Sequence, residues 1–383
     1  MQPVFIPRAF EADFLNSILP QKVLIILGAR RVGKTQFIRR LLEEKFTGDY
    51  MLFNGDDQST IDAFSERKIE NFRRLFGTRE LIVIDEAQKI PDIGQKLKLI
   101  VDEMAHIKVI ATGSSLFDLS NKLGEPLVGR EKTFYLFPLS QSELNFYEDP
   151  IQTKNKLEER LIFGSYPELE QVSDWKDKAE YLNGIVNSYL LRDILEMDGI
   201  RKSDKLMDLL RLIALQIGKE VHNDELANNL KGISRNTVDQ YLDLLSKVFV
   251  IYRVGGYNRN LRKEITKSSK WYFYDNGIRN AILRNFNRID FRTDKGELWE
   301  NYLMSERIKR NHYRRNFINS YFWRTYDQQE IDLVEESGNS LNAFEFKWSA
   351  EAKVRVPGAW NKAYPEATFS VIHSGNYLPF ITE

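Results

Sequence analysis

Residues 28–35, GARRVGKT, place Gly28, Gly33, Lys34 and Thr35 at the spacing G-x-x-x-x-G-K-[ST]. Glycines at these positions let the backbone curl, so that successive N–H groups point at the oxygens of a phosphate. A lysine in this place reaches the β- and γ-phosphates of a nucleotide, and the threonine hydroxyl is a ligand for Mg²⁺. The pattern therefore predicts a loop that binds ATP and Mg²⁺.

Two adjacent carboxylates, Asp85 and Glu86, follow the apolar run Leu81–Ile84. At the carboxyl end of a buried strand, Asp85 can hold Mg²⁺ through water, and Glu86 can orient or deprotonate the attacking water as the catalytic base. An Asp-Glu pair can also cap a helix that follows a strand. Together with the glycine-rich loop, the pair favours a nucleotide site.

Both motifs stand at the end of an apolar run that predicts a buried strand. There are three such runs: KVLIIL (22–27), ELIVID (80–85) and KVIATG (108–113). Strands of this kind separated by helices predict a doubly wound α/β parallel sheet with its ligand at the strand carboxyl ends. The third run ends in Thr112–Ser115, which either faces the γ-phosphate or turns into an ordinary loop. The residues expected to contact ATP are Gly28, Arg30, Arg31, Val32, Gly33, Lys34, Thr35, Gln36, Asp85, Thr112 and Ser114.

The composition limits the possible classes of protein. The chain has 383 residues, of which 42% are hydrophobic, so about two to four folded domains are expected. The 55 basic and 55 acidic residues balance, so net charge indicates no partner. The lack of cysteine excludes disulfides and thiolate metal sites. No signal peptide or membrane-spanning run is visible, which predicts a cytoplasmic protein without a membrane partner.

The motifs GARRVGKT, LIVIDEAQKIPD, ATGSS, LVGR and FPLSQSE, in this order, resemble AAA-type ATPases of the STAND-related, archaeal-ATPase-like group with a C-terminal domain of unknown function. The resemblance continues through FGSYPEL, YLLRDILE and YFYDNGI, and so covers nearly the whole chain. It implies that Thr112 or Ser114 is a sensor and that Arg130 touches the γ-phosphate, with Arg192 a lesser candidate. Such an arginine can raise the rate roughly 10³–10⁵-fold. Alternatively, Arg130 is a surface residue that ends a loop.

The middle of the chain has helical periodicity. Residues 155–196 predict a small helical lid over the nucleotide, or a plain connector. Three further helices, with caps at Ser203, Asn223 and Ser234, lead into the strand FVIYRV, which is the order of a winged helix-turn-helix. The expected wing is basic and contains Arg259, Arg262, Lys263, Glu264, Lys267 and Lys270. A basic wing binds the phosphate backbone of DNA, whereas a winged helix used for packing would bind none.

Near the C-terminus, three predicted antiparallel strands span residues 320–348. Because strand residues alternate between faces, Glu345 and Lys347 share a face, and pairing would bring Asp332 close to them. A solvated polar face with no metal would have the same pattern. Nearby, residues 307–324 mix six basic residues with aromatic ones, which suits a nucleic-acid strand.

This segment resembles the PD-(D/E)xK nuclease fold. The resemblance implies that Asp332, Glu345 and Lys347 are catalytic, and that Asp332 and Glu345 bind Mg²⁺ with Glu300 or Glu297 from a preceding helix. Such carboxylates would hold one or two Mg²⁺ ions, and the lysine would position water or offset developing charge.

The predicted domains are an ATPase core (1–145), a helical lid (146–200), a winged-helix-like domain (201–284) and an α/β restriction-endonuclease-like domain (285–383). The first hypothesis is an Mg²⁺-dependent ATPase whose nucleotide state controls a DNA-interacting, nuclease-like C-terminal domain. The alternative is a slow ATPase signalling switch with a non-catalytic module that binds a protein partner. Trans action of Arg130 would require a homo-oligomer.

Overall fold

The computed structural model describes residues 5–114, 127–190, 203–258 and 269–383. These residues form two units: one contains 5–137 and 247–249, and the other contains the remainder of the chain from residue 138 onward. The division at 137/138 comes slightly before the predicted end of the ATPase core at residue 145.

The first unit contains a five-stranded sheet. Its strands are β1 (Val23–Leu27), β2 (Tyr50–Asn54), β3 (Leu81–Asp85), β4 (Lys108–Gly113) and β5 (Glu131–Tyr135). Its helices are α1 (Glu11–Asn16), α2 (Lys34–Glu44), α3 (Gln58–Ala63), α4 (Ile69–Phe76) and α5 (Ile93–Glu103), with a 3₁₀ turn at Ala87–Lys89. The strand order is β2-β3-β4-β1-β5 and every pair is parallel. The predicted parallel α/β sheet is confirmed.

Burial explains why the central strands read as continuous apolar runs. All five positions of β1 and of β3 are buried, as expected for a parallel sheet covered on both faces. The edge strand β2 instead alternates exposed and half-buried positions. Since β4 lies between β1 and β3, its carboxyl end adjoins both the glycine-rich loop and the Asp85-Glu86 pair.

The second unit begins with helices and ends with a mixed sheet. Its helices are α6 (Gln141–Leu144), α7 (Pro150–Phe163), α8 (Trp175–Gly184), α9 (Ser203–Leu215), α10 (Asn223–Leu230), α11 (Arg235–Lys247), α12 (Asn276–Leu283), α13 (Lys295–Tyr313), α14 (Gly358–Ala363) and α15 (Tyr377–Thr382). A π-helix, Ile185–Leu190, follows α8, and 3₁₀ helices lie at Pro167–Gln171 and Ile289–Phe291. Its strands are β6 (Ile251–Gly256), β7 (Ser269–Phe273), β8 (Asn319–Arg324), β9 (Glu330–Ser337), β10 (Ser340–Phe346) and β11 (Thr368–Ile372).

The sheet of the second unit has the order β11-β10-β9-β8-β6-β7. Strands β8, β9 and β10 form the predicted antiparallel meander, and β11 joins β10 in parallel. The antiparallel pair β6–β7, which the sequence assigned to a separate wing, hydrogen-bonds to β8 in the same sheet. The expected border at 284/285 therefore falls between strands of one sheet.

Both faces of the meander are covered. Ala343 is fully buried in a cluster with Val334, Trp323 and Trp360. The rings of Phe344 and Phe346 contact Phe380 of α15 instead. The strand that carries Glu345 thus has no face that is simply solvated along its length. Among the described residues, no helix combines the length and apolarity needed to cross a bilayer.

Candidate functional site

The glycine-rich loop joins β1 to α2 at the carboxyl edge of the first sheet. A Cβ atom at Gly28 would lie 2.0 Å from the carbonyl oxygen of Leu136, so only glycine fits there. Gly33 has a φ of 97°, a left-handed conformation that glycine adopts without strain, and it leads directly into α2. The loop can therefore curl and end at the N–H groups of a helix, which is the geometry that binds phosphate.

Lys34 lies inside this loop and is buried. Its Nζ donates hydrogen bonds to the carbonyl oxygens of Gly28 at 2.8 Å and Ala29 at 3.0 Å. The ammonium is thus held where the backbone curls, within the proposed phosphate site. Of the other predicted contacts, Val32 is buried, Arg30 is half-buried, and Arg31 and Gln36 are exposed.

Thr35 and Thr112 both hydrogen-bond to Asp85. The Thr35 hydroxyl donates to Asp85 Oδ2 at 2.7 Å, and the Thr112 hydroxyl donates to Asp85 Oδ1. One carboxylate therefore links the ends of β3 and β4 to the start of α2. A hydroxyl and a carboxylate oxygen in contact are suitable ligands for Mg²⁺, which prefers oxygen and keeps several waters.

Glu86 has a φ of 49°, in the left-handed region that non-glycine residues rarely adopt. Its backbone N–H donates to the Thr112 hydroxyl at 3.1 Å, and Glu86 Oε2 accepts a hydrogen bond from Gln88 Nε2 at 2.6 Å. Gln88 Nε2 also lies 3.2 Å from the Ser114 hydroxyl. Backbone strain that hydrogen bonds maintain is typical of functional sites.

Sequence analysis did not identify Gln88. It is buried, and it connects Glu86 at the end of β3 to Ser114 after β4. Its place two residues after the catalytic-base candidate was the only available signal. Thr112 thus contacts both Asp85 and Glu86, and Ser114 is linked to Glu86 through Gln88.

Arg130 lies at the end of the first sheet where its parallel strands begin, and the phosphate loop lies at the end where they finish. It immediately precedes β5, and its carbonyl oxygen accepts a hydrogen bond from the N–H of Val23, the first residue of β1. Because the strands are parallel, this is the amino edge, opposite the phosphate loop. Its side chain pairs with Asp102. The expectation that Arg130 reaches the γ-phosphate is wrong for its own chain, and Ser115 and Arg192 lie outside the described residues.

A second group of charged residues assembles in the C-terminal unit. We call it the acidic cluster: Glu300 of α13, Glu330 and Asp332 of β9, and Glu345 of β10, with Lys347 and Lys270 of β7. The Lys347 ammonium donates to Glu345 Oε1 at 2.7 Å. Asp332 Oδ2 accepts the backbone N–H of Phe346 at 2.7 Å. The predicted proximity of Asp332, Glu345 and Lys347 is thus present.

Lys270 is the residue that sequence analysis misplaced. It was assigned to a basic wing, but only 1% of its side chain is exposed, and it forms an ion pair with Glu330. Its Nζ also lies 3.9 Å from Glu300 Oε1, which accepts a hydrogen bond from the Tyr272 hydroxyl at 2.6 Å. The signal was present in SKWYF, where the lysine stands in a short, mostly aromatic run that is buried at all five positions. The other expected wing residues lie outside the described ranges.

Burial determines the electrostatics of the acidic cluster. Burial first, and then repulsion from Asp332, raise the pKa of Glu300 to about 7. Burial also raises the pKa of Asp332, and burial with repulsion from Asp332 raises that of Glu345. For Lys270 burial opposes the charged form, but attraction from Glu300, Glu330 and Asp332 outweighs it and raises the pKa. For Lys347 burial also opposes the charged form, but the hydrogen bond to Glu345 and the attraction of Glu345 and Asp332 outweigh it and raise the pKa, so both lysines remain charged.

The predicted metal ligands Asp332, Glu345 and Glu300 do not form a ready ligand set. Within the described ranges, no group of three His, Cys, Asp or Glu side chains is arranged to hold a metal ion. Each of the three carboxylates already accepts a hydrogen bond from a donor in the chain. The geometry of the acidic cluster is that of ion pairs and hydrogen bonds.

The surfaces expected to bind nucleic acid are also internally paired. Ser234 caps α11 by accepting the N–H of Thr237 at 3.2 Å, but Arg235 pairs with Asp224 at 3.0 Å and approaches Asp239 at 3.9 Å. Between residues 223 and 247, four acidic residues (Asp224, Glu225, Asp239, Asp243) outnumber three basic ones (Lys231, Arg235, Lys247). This segment therefore carries no excess of basic charge.

In residues 307–324, the basic side chains have partners within the same unit. Arg307 pairs with Glu335 at 2.6 Å, and Lys309 pairs with Glu306 at 2.8 Å. Arg314 donates to the carbonyl oxygen of Thr382 at 2.8 Å, and Arg324 lies 3.6 Å from Glu220. These residues contribute to internal contacts of the unit.

Comparison with known protein families gives three adjacent matches. Residues 20–145 match the AAA domain family. Residues 154–288 and 295–379 match two domains of unknown function, DUF8612 and DUF4143. The first unit therefore contains a P-loop ATPase-type domain, and the chain continues into regions that carry no assigned activity.

Relatives and one solved structure extend over most of the chain. An uncharacterised protein of Methanocaldococcus jannaschii is 25% identical, with 85% of this chain and 75% of that protein covered. One from Mycobacterium tuberculosis is 26% identical over 85% of this chain and 70% of that protein. The Walker-type ATPase of Pyrococcus abyssi superposes with a TM-score of 0.51 at 17% identity, with 73% of this chain and 96% of that one covered. That likeness shows a shared fold.

Proposed function

We propose that this protein binds and hydrolyses ATP with Mg²⁺, and that its nucleotide state controls the C-terminal unit. The observation that carries the proposal is the 2.7 Å hydrogen bond from Thr35 to Asp85, beside a Glu86 side chain that Gln88 holds in place. Two elements remote in sequence thus bring together a hydroxyl, a carboxylate and a second carboxylate next to a phosphate loop.

Each residue has a defined task in this proposal. Loop N–H groups and Lys34 bind the phosphates, which stabilises charge that develops on the transferred group. Thr35 and Asp85 would hold Mg²⁺, which neutralises phosphate charge when it is bound. Glu86 orients a water and accepts its proton, Thr112 holds the Glu86 backbone, and Gln88 holds the Glu86 carboxylate.

The test measures ATP binding and hydrolysis by the purified full chain. Lys34→Ala is expected to lose binding of MgATP, whereas Glu86→Gln retains binding and loses about 10²-fold or more in turnover. Glu43→Gln, an exposed carboxylate on α2, is the matched control and keeps the wild-type rate. Wild-type hydrolysis that persists in Glu86→Gln would contradict the assignment, as would absence of nucleotide binding.

For residues 285–383 of the second unit we propose a PD-(D/E)xK nuclease-like fold, preceded in the same unit by a winged-helix-like segment formed by α9, α10, α11 and the β6–β7 pair. The supporting observations are the antiparallel β8–β9–β10 meander and the proximity of Asp332, Glu345 and Lys347. In the first candidate function, this unit interacts with DNA under control of the ATP state. Binding would be salt-dependent, since phosphate contacts release counterions.

The second candidate is a slow ATPase switch whose C-terminal unit binds a protein and cleaves nothing. The internal pairing of Arg235, Arg307 and Lys309 favours it, because these cations are already neutralised. Fluorescence anisotropy with a labelled DNA duplex separates the two candidates, using Glu86→Gln to trap the ATP state. Affinity that falls about tenfold or more between 50 and 200 mM salt supports the first, and no binding in either nucleotide state supports the second.

A further inference from the structure

The ammonium of Lys270 lies among the carboxylates of the acidic cluster. It pairs with Glu330, lies 3.9 Å from Glu300 Oε1, and is attracted by Asp332. With 1% of its side chain exposed, it is the most deeply buried charge in the cluster. A lysine is seldom buried to this degree unless it is paired, because its charge loses hydration.

The surroundings of Lys270 also fix the position of its side chain. It extends from β7, where its neighbours Ser269, Trp271, Tyr272 and Phe273 are all buried, and its Nζ lies 5.2 Å from the ring centre of Phe322. Two residues along the strand, Tyr272 donates to the same Glu300 oxygen that Lys270 approaches. Strand β7 thus brings two donors to one carboxylate.

The two other carboxylates of the cluster each accept a hydrogen bond from the chain. The Lys347 ammonium pairs with Glu345, whereas Asp332 accepts the Phe346 N–H and is attracted by the Lys270 charge. A divalent cation bound between Asp332 and Glu300 would meet the Lys270 charge at close range, and like charges in a buried site repel strongly. Since Lys270 is enclosed by the sheet, it cannot turn outward into water without opening the unit.

We propose that Lys270 takes the place of a divalent cation in the acidic cluster, so that this cluster is neutralised from within the chain and binds no catalytic metal. The C-terminal unit then acts through binding and not through metal-dependent cleavage. The inference rests on the charge arrangement of the second unit alone. The test of this inference measures metal binding at the acidic cluster. Failure of the proposed ATPase activity would instead appear in the ATP hydrolysis assay.

The experiment measures Mn²⁺ binding to the nucleotide-free full chain by electron paramagnetic resonance. Wild type and Asp332→Asn are expected to bind the same number of ions with the same affinity. Lys270→Met, which keeps the length of the side chain without its charge, is expected to bind one additional Mn²⁺. The additional ion should be lost in Lys270→Met combined with Asp332→Asn.

Thermal melting provides a second readout. Lys270→Met is expected to melt below wild type in the absence of metal, and saturating Mn²⁺ should raise its melting temperature by about 5 °C. Wild type should not respond. If Lys270→Met does not fold, the comparison of Mn²⁺ binding between wild type and Asp332→Asn still tests the inference.

Any of three results would overturn the inference. One is Mn²⁺ binding in wild type that Asp332→Asn abolishes, because the metal and Lys270 would then coexist. Another is a folded Lys270→Met variant that gains neither an Mn²⁺ ion nor metal-dependent stability. Plasmid cleavage by wild type with Mn²⁺ that is lost in Lys347→Ala would also contradict it.

Discussion

The backbone N–H of Gln141 donates a hydrogen bond of 2.6 Å to Glu306 Oε2, across 165 residues of sequence. Glu306 Oε1 accepts from Lys309 at 2.8 Å, and Lys309 Nζ also donates to the carbonyl oxygen of Leu139 at 3.2 Å. Helix α13 therefore holds the segment that directly follows the first unit along the chain. Two turns earlier, the same helix carries Glu300 of the acidic cluster.

Removing the Glu306 charge is expected to destabilise the second unit. Glu306→Gln leaves Lys309 buried without its counter-ion, which costs about 3 kcal/mol of unfolding free energy. Urea unfolding measures the loss, and Glu351→Gln, on an exposed site, is the control. The double variant Glu306→Gln/Lys309→Met should lose less than the sum of the single variants. Strict additivity of the two losses would show that Glu306 and Lys309 do not stabilise the fold through their interaction.

Gln88→Ala is expected to lower the turnover of ATP about tenfold with little change in KM. The reason is that Gln88 positions Glu86, which acts on water in the transition state, and does not itself bind the nucleotide. Steady-state kinetics separate kcat from KM. Gln95→Ala, at an exposed glutamine of α5, serves as the control. A rise in KM at unchanged kcat would instead indicate a role in binding.

Arg130→Ala is expected to leave the ATPase rate of dilute protein within about twofold of wild type, since Arg130 and the phosphate loop lie at opposite edges of the sheet. The rate per molecule is measured over a hundredfold range of protein concentration. A rate that rises with concentration in wild type but not in Arg130→Ala would show use in trans by a second copy. A large loss at the lowest concentration would contradict the structural placement.

Glu300 should make stability fall as pH rises. Its pKa is about 7 in the folded chain against 4.5 ordinarily, so the folded state retains a proton that the unfolded state releases. The contribution is complete below pH 4.5 and is lost as pH rises through 7, by at most about 3 kcal/mol. Urea unfolding at pH 5, 6, 7 and 8 measures it. The decline should be smaller in Glu300→Gln and unchanged in the control Glu297→Gln; equal declines in all three proteins would exclude Glu300 as the source.

The sequence alone was sufficient to locate the phosphate loop and the strands around it. Apolar runs such as Val23–Leu27 and Leu81–Ile84 predict buried parallel strands because both faces of such a sheet are covered. The spacing of Gly28, Gly33 and Lys34 is local, so it can be recognised without knowing the fold. The alternation that placed Glu345 and Lys347 on one face of a strand is local as well.

Only the tertiary structure decided which charged residues meet. Arg130 stands in a motif that resembles a catalytic one, yet the strand direction places it at the amino edge of the sheet. Lys270 looked like part of a basic wing, because the sequence does not show that β6 and β7 join the sheet of β8–β11. Gln88 became a candidate only when β4 was found between β1 and β3. Charge interactions act across space, and strand order, which local sequence does not encode, determines which charges are close together.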